Sequence, residues 1–299
     1  MMPHSTESHD PLRAGLHGIR GLLLDLDGVL ILRGAPIAGA AEAIRELDRR
    51  GFPFIVVTNT SLYSRSKLAS WVARHGMPIP ADRFQTALSA SAALVNERYA
   101  GRAVYVIASD DARSEFDGSS AVLLDAPGAA AAERSGAPVA AVVLGDSPDQ
   151  LTKPNLDRAF RLVRNGADLI GMHRNPWWLT PEGPVLDAGT FLVGLEWATK
   201  RRAQLVGKPS PAFFRLAIAR LSAEAAARGE PVLLRRDLAM VGDDLGTDIA
   251  GGRRAGLRTV FVRTGKHGDA ELAAAARARR PVAPDVTAPS IAEVVAALA

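Results

Sequence analysis

The chain has 299 residues, 47% of them hydrophobic and 23% charged, a globular balance with room for one large domain or two modest ones. Its formal charge is +4 and it has no cysteine. That excludes disulfide staples, thiolate metal sites and a cysteine nucleophile, and it fits a reducing compartment.

The opening, MMPHSTESHDPLRAGLHG, is polar and mixed in charge. It lacks the apolar segment of a secretory signal, and no later run has the length of a membrane span. The expectation is a cytoplasmic protein whose residues 1–17 form a flexible tail. The run Gly21–Leu26 in GLLLDLDGVLI reads as a buried parallel strand. Ala41–Arg50 has helical spacing and stops at Gly51. Phe54–Val57 is a second buried strand, followed by Thr58, Asn59 and Thr60. Ser64–Arg74 is a helix that stops near Gly76.

Further on, RAVYVIAS, PVAAVVLG, DLIGMH and AQLVGKPS read as strands, and NLDRAFRLVRNGA and GTFLVGLEWATK as helices. The alanine-rich pieces Ala129–Ala132 and Ala273–Ala276 read as helix surface or loop, and Trp177 and Trp178 fall in a proline-rich loop. PAFFRLAIARL is a helix with proline near its start. LAMVGDD and RTVFVRTG are strands, TDIAGGRRAG is a glycine-bearing helix, and PSIAEVVAAL is a closing helix capped by Ser290. Strands alternating with helices imply β-α-β units, hence an α/β fold with a parallel sheet.

Four polar sets fall at carboxyl ends of predicted strands, where ligands bind in open α/β sheets. Asp25 and Asp27 project to the same side because strand side chains alternate, and Gly28 allows a sharp turn. A carboxylate pair suits a hard divalent cation, although a lone D-x-D-G is equally an aspartate-rich turn. Thr58, Asn59 and Thr60 offer hydroxyl, amide and backbone donors, or simply a turn. Lys208 is one of only five lysines. Asp243, Asp244 and Asp248 make a second acidic turn, readable as a cap or a metal site. Together the four sets suit phosphoryl transfer. The basic residues are mostly paired arginines scattered among acids with no interleaved aromatics, so a nucleic-acid partner is not expected. His173 reads as a strand-end histidine, since no second histidine lies near it to complete a metal site.

The segments DLDGVL, VVTNTS, GKPSPAFF and MVGDDLGTDIAGGRRAGLRTVFVRTGK resemble, in order, the four motifs of the haloacid dehalogenase-like superfamily. The TNT, GKP and GDDxxTD forms resemble its subfamily IIA, the NagD-like group with a large α/β cap. The resemblance covers nearly the whole chain from about Gly18. It implies a Rossmann-like core at 18–87 and 200–299 with an inserted cap at 88–199, a span too long for a loop. Related sequences carry a GPGPF-like run near the DAGTF here, so details of that loop can differ.

The resemblance further implies a Mg²⁺-dependent phosphatase acting on a small phosphorylated substrate. Asp25 would be the nucleophile and would form an aspartyl-phosphate, and Asp27 the general acid and base. Thr58, Asn59, Thr60 and Lys208 would bind phosphate. Asp25, the Asp27 carbonyl and Asp243 would hold the metal, with Asp248, or as the second choice Asp244, orienting that shell. The cap would set specificity, and Trp177 and Trp178 could line the entrance. Caps of this subclass often take part in dimer contacts, so the resemblance admits a homodimer. Two other functions stay open on the residues alone: a non-catalytic interaction protein on the same scaffold, and a phospho-aspartate receiver-like switch.

Overall fold

The computed structural model describes residues 10–298, so most of the expected tail lies outside it. The part that is described is not all coil. Pro11–Leu16 is a helix whose N-terminus is capped by Asp10, which accepts a hydrogen bond from the Leu12 N–H at 3.0 Å.

The chain divides into two compact units. The first comprises the residues up to Phe54 and those from Ile218 onward. Its sheet contains four parallel strands: Gly21–Leu24, Leu238–Gly242, Arg258–Val262 and Val286–Ala288, each paired with the next. Leu22, Leu23 and Leu24 are buried on both faces of the sheet, which is why this strand is a continuous apolar run and not an alternating one. Gly21 lies opposite Leu238, and a Cβ there would be 2.8 Å from that leucine's Cδ2.

The helix Ala40–Arg49 buries Ala40, Ala43, Ile44 and Leu47, one face at helical spacing, against the closing helix Ile291–Ala297. Ser290 caps that closing helix as expected, accepting from the Ala292 N–H at 3.1 Å. The glycine-bearing helix begins with a wide turn over Leu245–Ile249 before Ala250–Ala255.

The second unit is Ile55–Ala217. It contains a five-stranded parallel sheet in the order Gln204–Leu205, Asp168–Gly171, Ala141–Leu144, Ala103–Ile107, Val122–Leu124. Tyr105, Val142, Leu144 and Leu169 of this sheet pack with Leu162, Leu192 and Leu195 of two helices, Lys153–Arg164 and Ala188–Thr199. Phe84–Thr86 pairs in parallel with Val56–Thr58. Both alanine-rich pieces are helical, within Ala126–Ser135 and Asp269–Arg277.

The tryptophans do not lie in a loop. Trp177–Thr180 and Gly183–Leu186 form an antiparallel hairpin, with both indoles half-buried. Prolines at 176, 181 and 184 mask the pattern. Proline is tolerated here because a two-stranded ribbon has only edge positions.

Leu22→Ala removes a fully buried side chain from the first strand. It should destabilise the protein by about 2–5 kcal/mol. Arg45→Ala, on an exposed helix face, should cost less than about 0.5 kcal/mol. Urea unfolding of the two variants measures both.

Candidate active site

The first strand delivers Asp25 to its carboxyl end, where the Asp25 N–H donates to the Val241 carbonyl at 2.9 Å. The neighbouring strand Leu238–Gly242 delivers Asp243 to the corresponding level, and the wide turn after it returns Asp248. Ligand atoms of Asp25, Asp243 and Asp248 lie within 4.8 Å of one another. Their exposures are 7%, 4% and 0%. Asp27 is two residues from Asp25 but exposed, and its carboxylate is outside this cluster. Gly28, at φ +82°, makes the turn and also yields space: a Cβ on it would overlap the Asp243 carboxylate.

Buried like charges repel unless something offsets them. Backbone N–H groups reach all three carboxylates: Asp25 from Leu26 at 2.7 Å, Asp243 from Lys266 at 2.6 Å, and Asp248 from Asp244 at 3.1 Å. Oxygen donors at this density, with no nitrogen or sulfur, suit a hard divalent cation. Asp244 faces another way. Its Oδ2 accepts from the Lys266 ammonium at 2.9 Å, and its Oδ1 caps the turn by accepting from Gly246 and Thr247. Burial alone would raise the Asp244 pKa, but the Lys266 charge and these hydrogen bonds hold it near 2.

The strand expected over RTVFVRTG stops at Val262, so Thr264 and Gly265 belong to a loop that continues through His267. In the structure this loop is wrapped onto the acid cluster. The Thr264 hydroxyl donates to the Gly28 carbonyl at 2.6 Å, the Lys266 N–H to Asp243, and the Leu245 N–H to His267 Nδ1 at 3.1 Å. Gly265 permits this approach, since a Cβ there would coincide with the Asp243 carboxylate. The available signal was a glycine beside a lysine just past a strand end.

The other expected residues lie in the second unit. Thr58 ends the strand Phe54–Thr58, and its hydroxyl accepts from the Thr60 N–H at 3.0 Å. Asn59 donates through Nδ2 to the Lys208 carbonyl at 3.0 Å and to Asn175 Oδ1 at 3.1 Å. Asn59 Oδ1 is buried with no hydrogen-bond partner among the described residues. Gly207 lets it lie there, because a Cβ would be 2.5 Å from that oxygen. Lys208 is buried.

Nearby, His173 lies just past a strand end as expected, within a buried polar group with Ser61, Asp146 and Asp187. Burial lowers the His173 pKa to about 4 against a smaller opposing effect of Asp146. Burial, reinforced by the Asp187 charge and opposed by His173, raises Asp146 to about 6. Between about pH 4 and 6 the folded pair therefore holds its proton on the carboxyl, where the unfolded chain holds it on the imidazole.

Between about pH 4 and 6 the pair binds the same number of protons folded as unfolded, so its contribution to stability is flat with pH. His173→Gln should expose the compensation. The raised Asp146 pKa stabilises most below its unfolded value, and that contribution is lost as pH rises through about 6. The variant should therefore lose stability as pH rises from 4 to 6. Relative to it, the native protein should gain up to ~3 kcal/mol between pH 4 and 6.5. Urea midpoints across this range test it. Gly265→Ala should displace Asp243 and weaken divalent-cation binding at least tenfold on the scale of about 10–100-fold for disturbed metal surroundings, measurable by calorimetry.

Comparison with known proteins follows the same residues. The haloacid dehalogenase-like hydrolase profile matches residues 22–120, and a second profile, HAD-hydrolase-like, matches 205–291. The human phospholysine phosphohistidine inorganic pyrophosphate phosphatase is 31% identical over 257 residues, 84% of this chain and 85% of that protein. The bovine haloacid dehalogenase-like hydrolase domain-containing protein 2 is 31% identical over 249 residues, 83% and 86% of the two chains. Among solved structures, the 4-nitrophenylphosphatase of Thermotoga maritima superposes with a TM-score of 0.78 at 26% identity, covering 95% of this chain and 99% of that one. With the parallel α/β fold, the acid cluster and these relatives in agreement, the chain belongs to the haloacid dehalogenase-like hydrolases, as a phosphatase of the NagD-like subfamily IIA.

Proposed function

We propose that this phosphatase hydrolyses a small phosphate monoester, or a phosphoamide or pyrophosphate, through an aspartyl-phosphate on Asp25, with Mg²⁺ as its cation. The observation that carries this reading is the buried set Asp25, Asp243 and Asp248 with ligand atoms within 4.8 Å. Asp25, Asp243 and the Asp27 carbonyl would hold the metal, and Asp248 would orient them. Bound there, the cation would offset the repulsion between a carboxylate and a dianionic phosphate. Magnesium is favoured because it takes oxygen ligands and keeps waters.

In the first step an Asp25 oxygen forms a bond to phosphorus while the bond to the leaving oxygen breaks. Asp27 gives that oxygen its proton. In the second step a water oxygen attacks the same phosphorus, the bond to Asp25 breaks, and Asp27 takes the water's proton. An exposed Asp27 supports this role, since a group that exchanges protons with substrate and water needs access to both. Thr58, Asn59, Thr60 and Lys208 would hold phosphate oxygens. The buried lysine, beside the end of the strand Phe54–Thr58 through the Asn59–Lys208 hydrogen bond, supports that assignment.

The division into core (18–87, 200–299) and cap (88–199) belongs to the same reading. It is supported by the separate five-stranded sheet, four of whose strands lie within 88–199, with the edge strand Gln204–Leu205 just beyond. A cytoplasmic location also belongs to it, supported by the cysteine-free composition.

Phosphate release from 4-nitrophenyl phosphate and a panel of phosphometabolites tests the proposal. Turnover should require Mg²⁺, stop with EDTA and vanish in Asp25→Asn. Asp27→Asn should lower kcat by about 10²–10⁴-fold. Undiminished turnover in Asp25→Asn would exclude the aspartyl-phosphate route, and undiminished turnover in EDTA would exclude the metal.

A further inference from the structure

Ser61, Asp146 and His173 lie just past the ends of three strands of the second unit: Phe54–Thr58, Ala141–Leu144 and Asp168–Gly171. These ends are tightly packed. A Cβ on Gly145 would be 2.6 Å from Met172 Sδ and 3.2 Å from Ser61 Cβ. His173 is 2% exposed, yet both of its ring nitrogens have partners. Nδ1 faces the Asn175 N–H at 3.3 Å. A backbone N–H can only donate, so Nδ1 carries the lone pair and the ring proton is on Nε2. Nε2–H then donates to Ser61 Oγ at 3.1 Å, with Asp187 Oδ1 beyond it at 3.5 Å. Burial keeps the ring neutral, which maintains this tautomer.

Each arm leads to the same loop. Ser61 Oγ also accepts the Asp146 N–H at 2.8 Å. On the other side, Asn175 Oδ1 accepts from Asn59 Nδ2. One imidazole therefore reaches residue 61 directly and residue 59 through Asn175, on either side of Thr60. Beyond Ser61 the chain is tied again. The Ser64 N–H donates to Asp111 at 2.8 Å, and the Ser109 hydroxyl to the Leu62 carbonyl at 3.0 Å. Apolar side chains of the same volume would fill these strand ends at lower desolvation cost, so stability alone does not account for a hydrogen-bonded network here.

We propose that His173 is a positioning residue for the phosphate-binding loop Thr58–Thr60, holding its two flanks through Ser61 and Asn175. The proposal rests on the assignment of that loop to phosphate. It adds a residue outside the four motifs that acts on substrate affinity without touching substrate. Loosening either arm lets Asn59 and Thr60 leave their oxygen-binding geometry while the acid cluster, held by other elements, stays as it is.

The test compares wild type with His173→Ala, His173→Gln and Ser61→Ala. It measures KM and kcat with 4-nitrophenyl phosphate, affinity for inorganic phosphate by calorimetry, and the Mg²⁺ concentration giving half-maximal rate. His173→Ala should raise KM and weaken phosphate binding in parallel, each by about three- to tenfold, the loss of one or two buried hydrogen bonds. Half-maximal Mg²⁺ should be unchanged. Glutamine, whose amide nitrogen can replace Nε2 as donor to Ser61, should recover most of the loss. Ser61→Ala should reproduce it, and adding Ser61→Ala to His173→Ala should cost little more, because the two act along one path.

If His173→Ala fails to fold, Ser61→Ala, a smaller change, decides alone. Wild-type KM and phosphate affinity in the folded variants would overturn the positioning role and leave the phosphatase reading intact. Failure of the wild type to hydrolyse any ester would overturn the phosphatase reading. Calorimetric phosphate binding would then still judge the loop, and a wild type that binds no phosphate overturns both.

Discussion

Three carboxylates brought within a few ångströms of each other in a buried place are the constraint on which the first unit is built. Like charges at that spacing cost several kcal/mol unless dipoles or a cation answer them. Backbone N–H groups of Leu26, Lys266 and Asp244 are part of the protein's answer. Those donors come from three separate places in the chain: the turn after the first strand, the loop after Arg258–Val262, and the turn after Leu238–Gly242 itself. Parallel pairing of the strands sets the two aspartates side by side, with Leu24 opposite Val241. Gly265 then lets the Lys266 N–H approach Asp243 closely enough to donate, and Gly28 leaves room for the same carboxylate.

The second unit solves a related problem with neutral groups. A loop that binds a phosphate must present hydroxyl, amide and N–H donors in fixed directions, and short polar side chains at a strand end have no intrinsic rigidity. Here alternate residues divide the task. Thr58 and Thr60 are joined to each other, while Asn59 and Ser61 are fastened outward to Lys208, Asn175, Asp146 and His173. Burial keeps the His173 imidazole neutral, so that Nδ1 accepts from Asn175 while Nε2 donates to Ser61. Both halves of the proposed chemistry thus depend on residues whose side chains would not contact substrate.

Much of this was legible beforehand because it is local. The first strand is a continuous apolar run, helices carry caps and glycine stops, and Asp25, Thr58, Lys208 and Asp243 each follow an apolar segment directly. The elements that escaped notice have weak local signals. Val122–Leu124 is short and partly exposed, Ala126–Ser135 is alanine-rich with little periodicity, and the Trp177–Leu186 hairpin is interrupted by prolines.

The sequence by itself determined the α/β alternation, the strand-end positions of the motif residues and, through their order, the family. Those properties follow from side-chain period and from backbone preferences of glycine and proline, which act over a few residues. Only the tertiary structure decided that Asp248 joins Asp25 and Asp243 while Asp244 turns to Lys266, that Thr264–His267 closes onto Asp243, and that His173 reaches both Ser61 and Asn175. Each of these joins residues brought together by strand pairing or by turn geometry, and Ser61 and His173 are 112 positions apart. No local preference encodes such contacts, because their free energy exists only once the chain has folded around them.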